Sequence, residues 1–317
     1  MFRKLPNRFE VCRKNAMASR AADDVEPKFE KVLEGLQGAE GPVFDKNGNF
    51  FMVAPDTGEI YNVNLQEKRA ILLCKPKIED AGVPAGCQCD KEGNIYVADM
   101  RLGILKVTQS GYFTQLAKID NEGRIMQGCN DCIFDYEGNL WITAPAGEIA
   151  PSQYRRSMEE PFGSLYCLTN EEVIRIDTGI FFPNGIAVKH NASGKAEMLI
   201  VAETPTKLLW AYDIDGPGRV KNKRKWATLP GELEGGADGM DFDDAGSLLV
   251  AHWGSGVIEV FPPEGGTPTR RIKCPFQHPS NLHFKPNSNI VYVTEHDFHG
   301  LWKFDWLTCG QKQFCET

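Results

Sequence analysis

The chain has 317 residues, with 35 Lys and Arg against 43 Asp and Glu, and a net charge of −8. An acidic balance argues against nucleic acid as an electrostatic partner. No run reaches the ~18 apolar residues of a membrane-spanning helix.

Residues 1–27 read as a disordered N-terminal extension. Its first part is basic, carrying Arg3, Lys4, Arg8, Arg13, Lys14 and Arg20. Ser is scarce for an organelle presequence, Pro6 interrupts any early helix, and the apolar stretch of a secretory signal is missing. The expectation is a cytoplasmic protein, monomeric, with its 10 cysteines reduced and mostly buried. The closest pairs are Cys87 with Cys89 and Cys129 with Cys132. A zinc ribbon wants two C-x-x-C knuckles, and the first pair is C-x-C.

From residue 28 to 317 one unit keeps returning: an apolar residue, a turn with Asp or Gly-Asn, then alternating apolar residues. The clearest copies are Phe44-Asp45-Lys46-Asn47-Gly48-Asn49-Phe50, Cys89-Asp90-Lys91-Glu92-Gly93-Asn94-Ile95 and Phe134-Asp135-Tyr136-Glu137-Gly138-Asn139-Leu140. They recur at a period of about 45 residues, inside the range of propeller blades. Further copies start at Phe242 and Phe284, and a degenerate one at Val188. After each turn a strand follows, at Phe51–Ala54, Tyr96–Ala98, Trp141–Ala144, Leu199–Ala202, Leu248–Ala251 and Val291–Thr294. A third comes after a polar gap, at Ile60–Val63, Gly103–Val107, Ser164–Leu168, Leu208–Ile214, Val257–Phe261 and Leu301–Trp306. Outer strands such as Ala70–Cys74, Thr114–Ala117, Val173–Asp177 and Lys225–Leu229 complete the unit. Six such units with Gly-rich turns and no helix predict an all-β, six-bladed propeller of four-stranded blades. Two segments compete to close the ring, Phe29–Leu33 and Lys312–Glu316.

In a propeller the innermost strands all begin at the mouth of a central channel, so positions at a fixed offset from the repeat anchor face one axis. Four residues before the anchors stand Glu40, Ala85, Asn130, Asn184, Asp238 and Ser280. Two carboxylates and two amides around a point suit Ca²⁺, which takes six to eight oxygens in irregular geometry. Zinc would call for His or Cys. A second ring, at the ends of the second strands, holds Asp56, Met100, Ala146, Thr204, Trp253 and His296. That mostly apolar set suits a small organic ligand around a polar centre. One residue before their anchors, Asp241 and His283 point down the channel, where either water or a second cation would serve as partner. An EF-hand reading of Asp241-Phe242-Asp243-Asp244-Ala245-Gly246 fails, because Ala245 and His252 fall where it needs a ligand and a Glu.

Several of these stretches carry a resemblance. Glu40-Gly41-Pro42, Cys129-Asn130-Asp131-Cys132, Phe182-Pro183-Asn184-Gly185-Ile186-Ala187, Asp238-Gly239-Met240-Asp241-Phe242-Asp243 and Thr294-Glu295-His296 resemble the diisopropylfluorophosphatases. These are calcium-dependent phosphotriesterases within the wider gluconolactonase and senescence-marker-protein family. The resemblance covers about residues 28 to 317. It implies a catalytic calcium held by Glu40, Asn130, Asn184 and Asp238, and a structural calcium held by Asp241, His283 and the carbonyl of Leu282. It also implies a pocket of Met100, Tyr154, Arg156, Phe182, Thr204, Trp253 and His296. The activity implied is hydrolysis of P–F or related P–X bonds in organophosphorus esters such as diisopropyl fluorophosphate, with Asp238 as nucleophile or water activator and His296 shaping the wall. A lactonase on the same calcium site and a non-catalytic ligand-binding propeller are the alternatives. The chain departs from the family in its N-terminal extension, a shorter turn after Asp56 and an earlier end at Thr317; the shorter turn borders the pocket rim.

Overall fold

Each repeat begins at a side chain that organises its own turn. In the computed structural model, which describes residues 26–126, 128–145, 161 and 163–317, Asp45 Oδ1 accepts the backbone amides of Asn47 and Asn49, both at 2.9 Å. Its Oδ2 accepts Asn49 Nδ2 at 2.7 Å. Asp90 and Asp135 repeat the arrangement with Asn94 and Asn139. Gly48, at φ 85°, supplies the left-handed residue that closes the turn. A carboxylate with this many donors is buried at little cost, and Asp45 is 0% exposed. Asp243 does the same for its turn through Ser247, and adds Trp306 Nε1 and Thr308 Oγ1, each at 3.0 Å.

These turns link the two inner strands of six four-stranded antiparallel sheets. Blade I comprises Glu40–Phe44, Phe50–Ala54, Glu59–Asn64 and Arg69–Cys74, and blade II comprises Pro84–Cys89, Ile95–Asp99, Gly103–Val107 and Phe113–Ala117. Blade III holds Cys132–Phe134, Leu140–Ala144, Gly163–Thr169 and Glu172–Ile180; blade IV holds Pro183–His190, Ala196–Glu203, Leu208–Gly216 and Arg219–Thr228. Blade V holds Gly236–Phe242, Leu248–Trp253, Val257–Phe261 and Arg270–Lys273. Blade VI takes Pro279–Phe284, Ile290–Glu295 and Gly300–Asp305 from the end of the chain and Glu30–Leu33 from its beginning. The ring is therefore closed by the early segment. The rival segment, Lys312–Glu316, makes no strand: Phe314–Glu316 is a short 3₁₀ turn, with the Phe314 ring 4.8 Å from that of Phe134.

Innermost strands touch their neighbours all the way round, and apolar side chains fill the space between blades as separate clusters. Blades I and II share Val43, Phe51, Cys87 and Val97, while blades IV and V share Ile200, Ala211, Phe242 and Val250. Blade IV is longer than its apolar pattern predicts. The extra length is a polar ribbon held by cross-strand charge pairs, Arg224 with Asp213 at 2.7 Å and Lys221 with Asp215 at 2.5 Å. Among the described cysteines eight are free and Cys309 is disulfide-bonded, which departs from the expectation of thiols throughout. Among the described residues no helix is long and apolar enough to cross a membrane.

One irregularity recurs where the channel opens. In blades I, II, IV, V and VI, two residues of the innermost strand stand opposite one of the next, as where Pro183 pairs with Glu203 but Ile186 with Val201, leaving Asn184 and Gly185 against Ala202. Such bulges break the alternation of side chains and re-aim those at the strand's start.

Candidate metal and substrate site

The bulges bring the ring residues together. Glu40, Asn130, Asn184 and Asp238 line one cavity of about 250 Å³, along with Met100, Phe182, Trp253 and His296. Asn184 and Asp238 lie within the bulges of blades IV and V, and Glu40 opens that of blade I. Each of these three is followed by glycine, and where blade IV meets V and blade V meets VI the reason is spatial. A Cβ on Gly185 would fall 2.0 Å from the carbonyl oxygen of Asp238, and one on Gly239 would fall 2.0 Å from Asn281 Oδ1. Only a residue without a side chain lets neighbouring inner strands approach this closely. Asn130 is fixed by its backbone, its amide donating to Thr143 O at 2.8 Å and its carbonyl accepting Gly86 N at 2.6 Å.

The blades without a ligand-type residue complete the ring differently. Ala85 lines the cavity, whereas Ser280 turns away and donates to Ala39 O at 2.9 Å. Thr204 also departs from the expected pocket. Its hydroxyl donates to Ala237 O at 2.7 Å, leaving it 2% exposed and off the cavity wall. Tyr154 and Arg156 lie outside the described residues. The wall gains Gly38, Pro55, Asp56 and His299. Asp56 stood in the second ring of the sequence pattern, but His299 follows no repeat: it sits in a turn of blade VI and accepts Gly38 N at 3.0 Å on Nδ1. Size alone does not select this site, since a depression of about 560 Å³ on blade V is larger, shallow and free of ring residues.

The cavity is acidic. Glu40, Asp56 and Asp238 line it, and among the described residues no lysine or arginine does. The nearest counter-group is His296, whose Nε2 stands 3.5 Å from Glu40 Oε1. Trp253 Nε1 donates to His296 Nδ1 at 3.1 Å. That bond occupies the Nδ1 lone pair and assigns the proton of a neutral imidazole to Nε2. Held in this tautomer, the ring has no free lone pair with which to act as a base.

A cation fits the donor set. Two carboxylates and two amides converge with no positive side chain among them, and hard cations take such oxygens readily. The ring holds neither His nor Cys, the ligands zinc prefers, and half of its donors are amides.

Below the mouth lies a tier that the repeat alignment passed over. Asp131 is buried, and burial pushes its carboxyl up to about 8, with Glu40 adding to the rise and Asn281 opposing it through a hydrogen bond. Deeper still, Asp241 accepts Phe242 N at 2.9 Å, Phe284 N at 3.1 Å and Gln313 Nε2 at 3.1 Å. Burial still raises its carboxyl to about 7. His283 Nδ1 is 3.6 Å from Asp241 Oδ2, and burial lowers the imidazole to about 4, so the ring is neutral at pH 7. Its Nε2 is buried without a hydrogen-bond partner. Asp241, His283 and Leu282 share the wall of a void of about 10 Å³, close to the room one water or ion requires. An orphaned imidazole nitrogen beside a buried carboxylate fits a second cation.

Comparison with known proteins gives a consistent set of relatives. The SMP-30/Gluconolactonase/LRE-like region matches residues 38–297. Diisopropyl-fluorophosphatase of Loligo vulgaris is 57% identical over 303 residues, covering 92% of this chain and 96% of that protein. Lactonase drp35 of Staphylococcus aureus (strain MRSA252) is 27% identical over 288 residues, covering 86% of this chain and 82% of its own. Among solved structures, luciferin-regenerating enzyme superposes with a TM-score of 0.74 at 20% identity, covering 91% of this chain and 98% of that one.

Proposed function

The chain belongs to the SMP-30/gluconolactonase/LRE-like family, and we propose that it is a calcium-dependent hydrolase of P–F or related P–X bonds in organophosphorus esters. The observation that carries this reading is the convergence of Glu40, Asn130, Asn184 and Asp238 on one acidic cavity with apolar walls. The 57% identity to a diisopropyl-fluorophosphatase supports it.

Glu40, Asn130, Asn184 and Asp238 would hold the catalytic calcium, and Asp241, His283 and the Leu282 carbonyl a structural one. When bound, calcium supplies a Lewis acid for the phosphoryl oxygen, where charge grows as phosphorus becomes five-coordinate. Asp238 is the reacting group of the chain. Its carboxylate attacks phosphorus, fluoride leaves, and water then cleaves the aspartyl phosphate. The competing route has the same carboxylate take a proton from an attacking water. Met100, Phe182 and Trp253 exclude bulk water and cradle the ester groups. His296, with Nδ1 engaged by Trp253, positions the wall rather than moving a proton.

The test is fluoride release from diisopropyl fluorophosphate with calcium and with chelator, beside hydrolysis of a panel of lactones. Fluoride release that needs calcium and disappears in Asp238→Asn is expected. Hydrolysis of lactones alone would favour a lactonase, as the drp35 relative suggests. No calcium-dependent turnover of either class would leave a ligand-binding propeller. Single turnover in ¹⁸O water addresses the route: label in the Asp238 carboxylate marks direct attack.

A further inference from the structure

Near the end of the second strand of blade V stands a buried histidine that takes no part in the calcium site. His252 is 0% exposed, and so is Glu259 on the adjoining third strand. His252 Nδ1 lies 3.0 Å from Glu259 Oε1, and His252 Nε2 lies 3.1 Å from the hydroxyl of Ser255. Arg271, on the outermost strand, gives the same Glu259 oxygen two further donors, Nε and Nη2, each at 3.0 Å. A carboxylate only accepts, so the proton of a neutral imidazole belongs on Nδ1 and the Nε2 lone pair faces the Ser255 hydroxyl.

The turn presents that hydroxyl to solvent. Ser255 stands between Gly254 and Gly256, at φ 83° and 65°, in the reversal that joins the two strands. A Cβ on Gly254 would fall 2.1 Å from Glu234 O, so the turn lies tight against the chain, and of its three residues only Ser255 carries a side chain. Ser255 is half-buried and lines the blade V depression of about 560 Å³, with Val257, Lys273, Cys274 and Phe276.

Other blades show what a purely structural residue does at this place. Asp99 and Glu295 precede Met100 and His296 as His252 precedes Trp253. Each accepts two amides of its own turn, Arg101 N and Leu102 N in blade II, Asp297 N and Phe298 N in blade VI. One acid suffices for that. Blade V has an imidazole instead, sets a buried carboxylate behind the ring, and leaves Glu259 Oε2 buried without a hydrogen-bond partner. Burying further ionisable groups costs stability that a turn brace does not require. A serine with a base in hydrogen-bond reach, and an acid orienting that base, is the arrangement that activates a hydroxyl for attack.

We propose that Ser255 is the nucleophile of a second, calcium-independent site that hydrolyses small carboxylic esters, with His252 as its base and Glu259 orienting the ring. Ser255 Oγ bonds to the ester carbonyl carbon while its proton passes to His252 Nε2. The bond to the alcohol oxygen breaks, and the alcohol departs with that proton. Water then attacks the acyl-serine, passes a proton through His252 to the departing Ser255 Oγ, and releases the acid. Lys273, which lines the same depression, brings positive charge for the developing oxyanion. None of this draws on the calcium ring, so the two sites stand or fall separately.

The experiment uses the calcium-loaded Asp238→Asn protein, in which the calcium site does not consume the probe. It is incubated with an alkyl fluorophosphonate and mapped by mass spectrometry, and p-nitrophenyl acetate turnover is followed beside it. A phosphonyl adduct on Ser255, formed as fluoride leaves, is expected in the folded protein and not in urea. Labelling should slow at least 100-fold in His252→Gln. Ser255→Ala should abolish both the adduct and the ester turnover. In the Asp238 parent the same substitution should leave calcium-dependent fluoride release unchanged, since Ser255 does not line the calcium cavity. A folded Asp238→Asn protein that takes no label at Ser255 overturns the proposal, whatever the buried substitution does to folding. Labelling equally fast in urea or in folded His252→Gln overturns it too, because the hydroxyl then reacts without the base. An adduct with no ester turnover rejects the esterase.

Discussion

Gly185 offers the sharpest test of how the fold aims Asp238. Its φ is outside the left-handed region, so alanine there brings no backbone strain and acts by bulk alone. The new Cβ would stand 2.0 Å from the Asp238 carbonyl oxygen and 2.9 Å from both its carbonyl carbon and Gly239 Cα. Ordinary contact begins at about 3.4 Å, so the bulge of blade V must retreat by roughly 1.4 Å, and the three nearest atoms are all backbone. Displacement of a reacting group by about 1 Å costs on the order of 100-fold in rate, or about 2.7 kcal/mol of barrier. Gly185→Ala should therefore lower kcat/KM for calcium-saturated fluoride release about 100-fold. Circular dichroism and a thermal melt establish that the variant is folded. A folded variant within threefold of the parent would refute the argument that this glycine positions Asp238.

Other consequences can be checked in the same preparations. His296→Asn should keep most of the activity, because the imidazole's Nδ1 is committed to Trp253; a loss beyond about 100-fold would restore it as an obligatory proton carrier. Strong chelation should abolish turnover and also lower the Tm by roughly 5 °C or more, as expected when a ligand present at about 100 times its Kd is withdrawn. An inactive protein with an unchanged melt would count against the channel cation. His190 stacks on Tyr136 at 3.6 Å, accepts Tyr136 N at 3.1 Å, and is lowered by burial to about 4. Its unfolded value is near 6.5, so between pH 6.5 and 4 the unfolded chain binds the extra proton and stability falls as pH falls. His190→Gln should flatten that part of the Tm–pH curve, and an identical slope would remove His190 as its source.

Legibility in the sequence followed locality. The turn aspartates were readable because Asp45, Asn47 and Asn49 satisfy one another within five residues, and the same solution returns at Asp90 and Asp135. Once those turns set a common register, Glu40, Asn130, Asn184 and Asp238 fell into one ring by counting, and the cavity holds all four. Thr204 satisfied the same kind of count and still left the pocket, because its hydroxyl found the Ala237 carbonyl of the adjoining blade. The polar ribbon of blade IV was cut short because its stability comes from charge pairs rather than apolar alternation.

The acidic stretch from Gly235 to Gly246 shows both limits. Its repeat position already separates Asp238 at the mouth from Asp241 in the channel and from Asp243 in a turn, since strand periodicity and turn chemistry are written in neighbouring residues. What surrounds each carboxylate comes from far along the chain. Asp241 meets His283 of blade VI and Gln313 of the C-terminal segment, and Asp243 meets Trp306 and Thr308. Likewise the ring closes on Glu30–Leu33 and not on Lys312–Glu316, although both are short segments of similar pattern. Local residues specify the blade, the turn and the offset of each ligand. Which distant segments meet inside the channel is decided by closure of the ring, because only then do six separate strand ends share one axis.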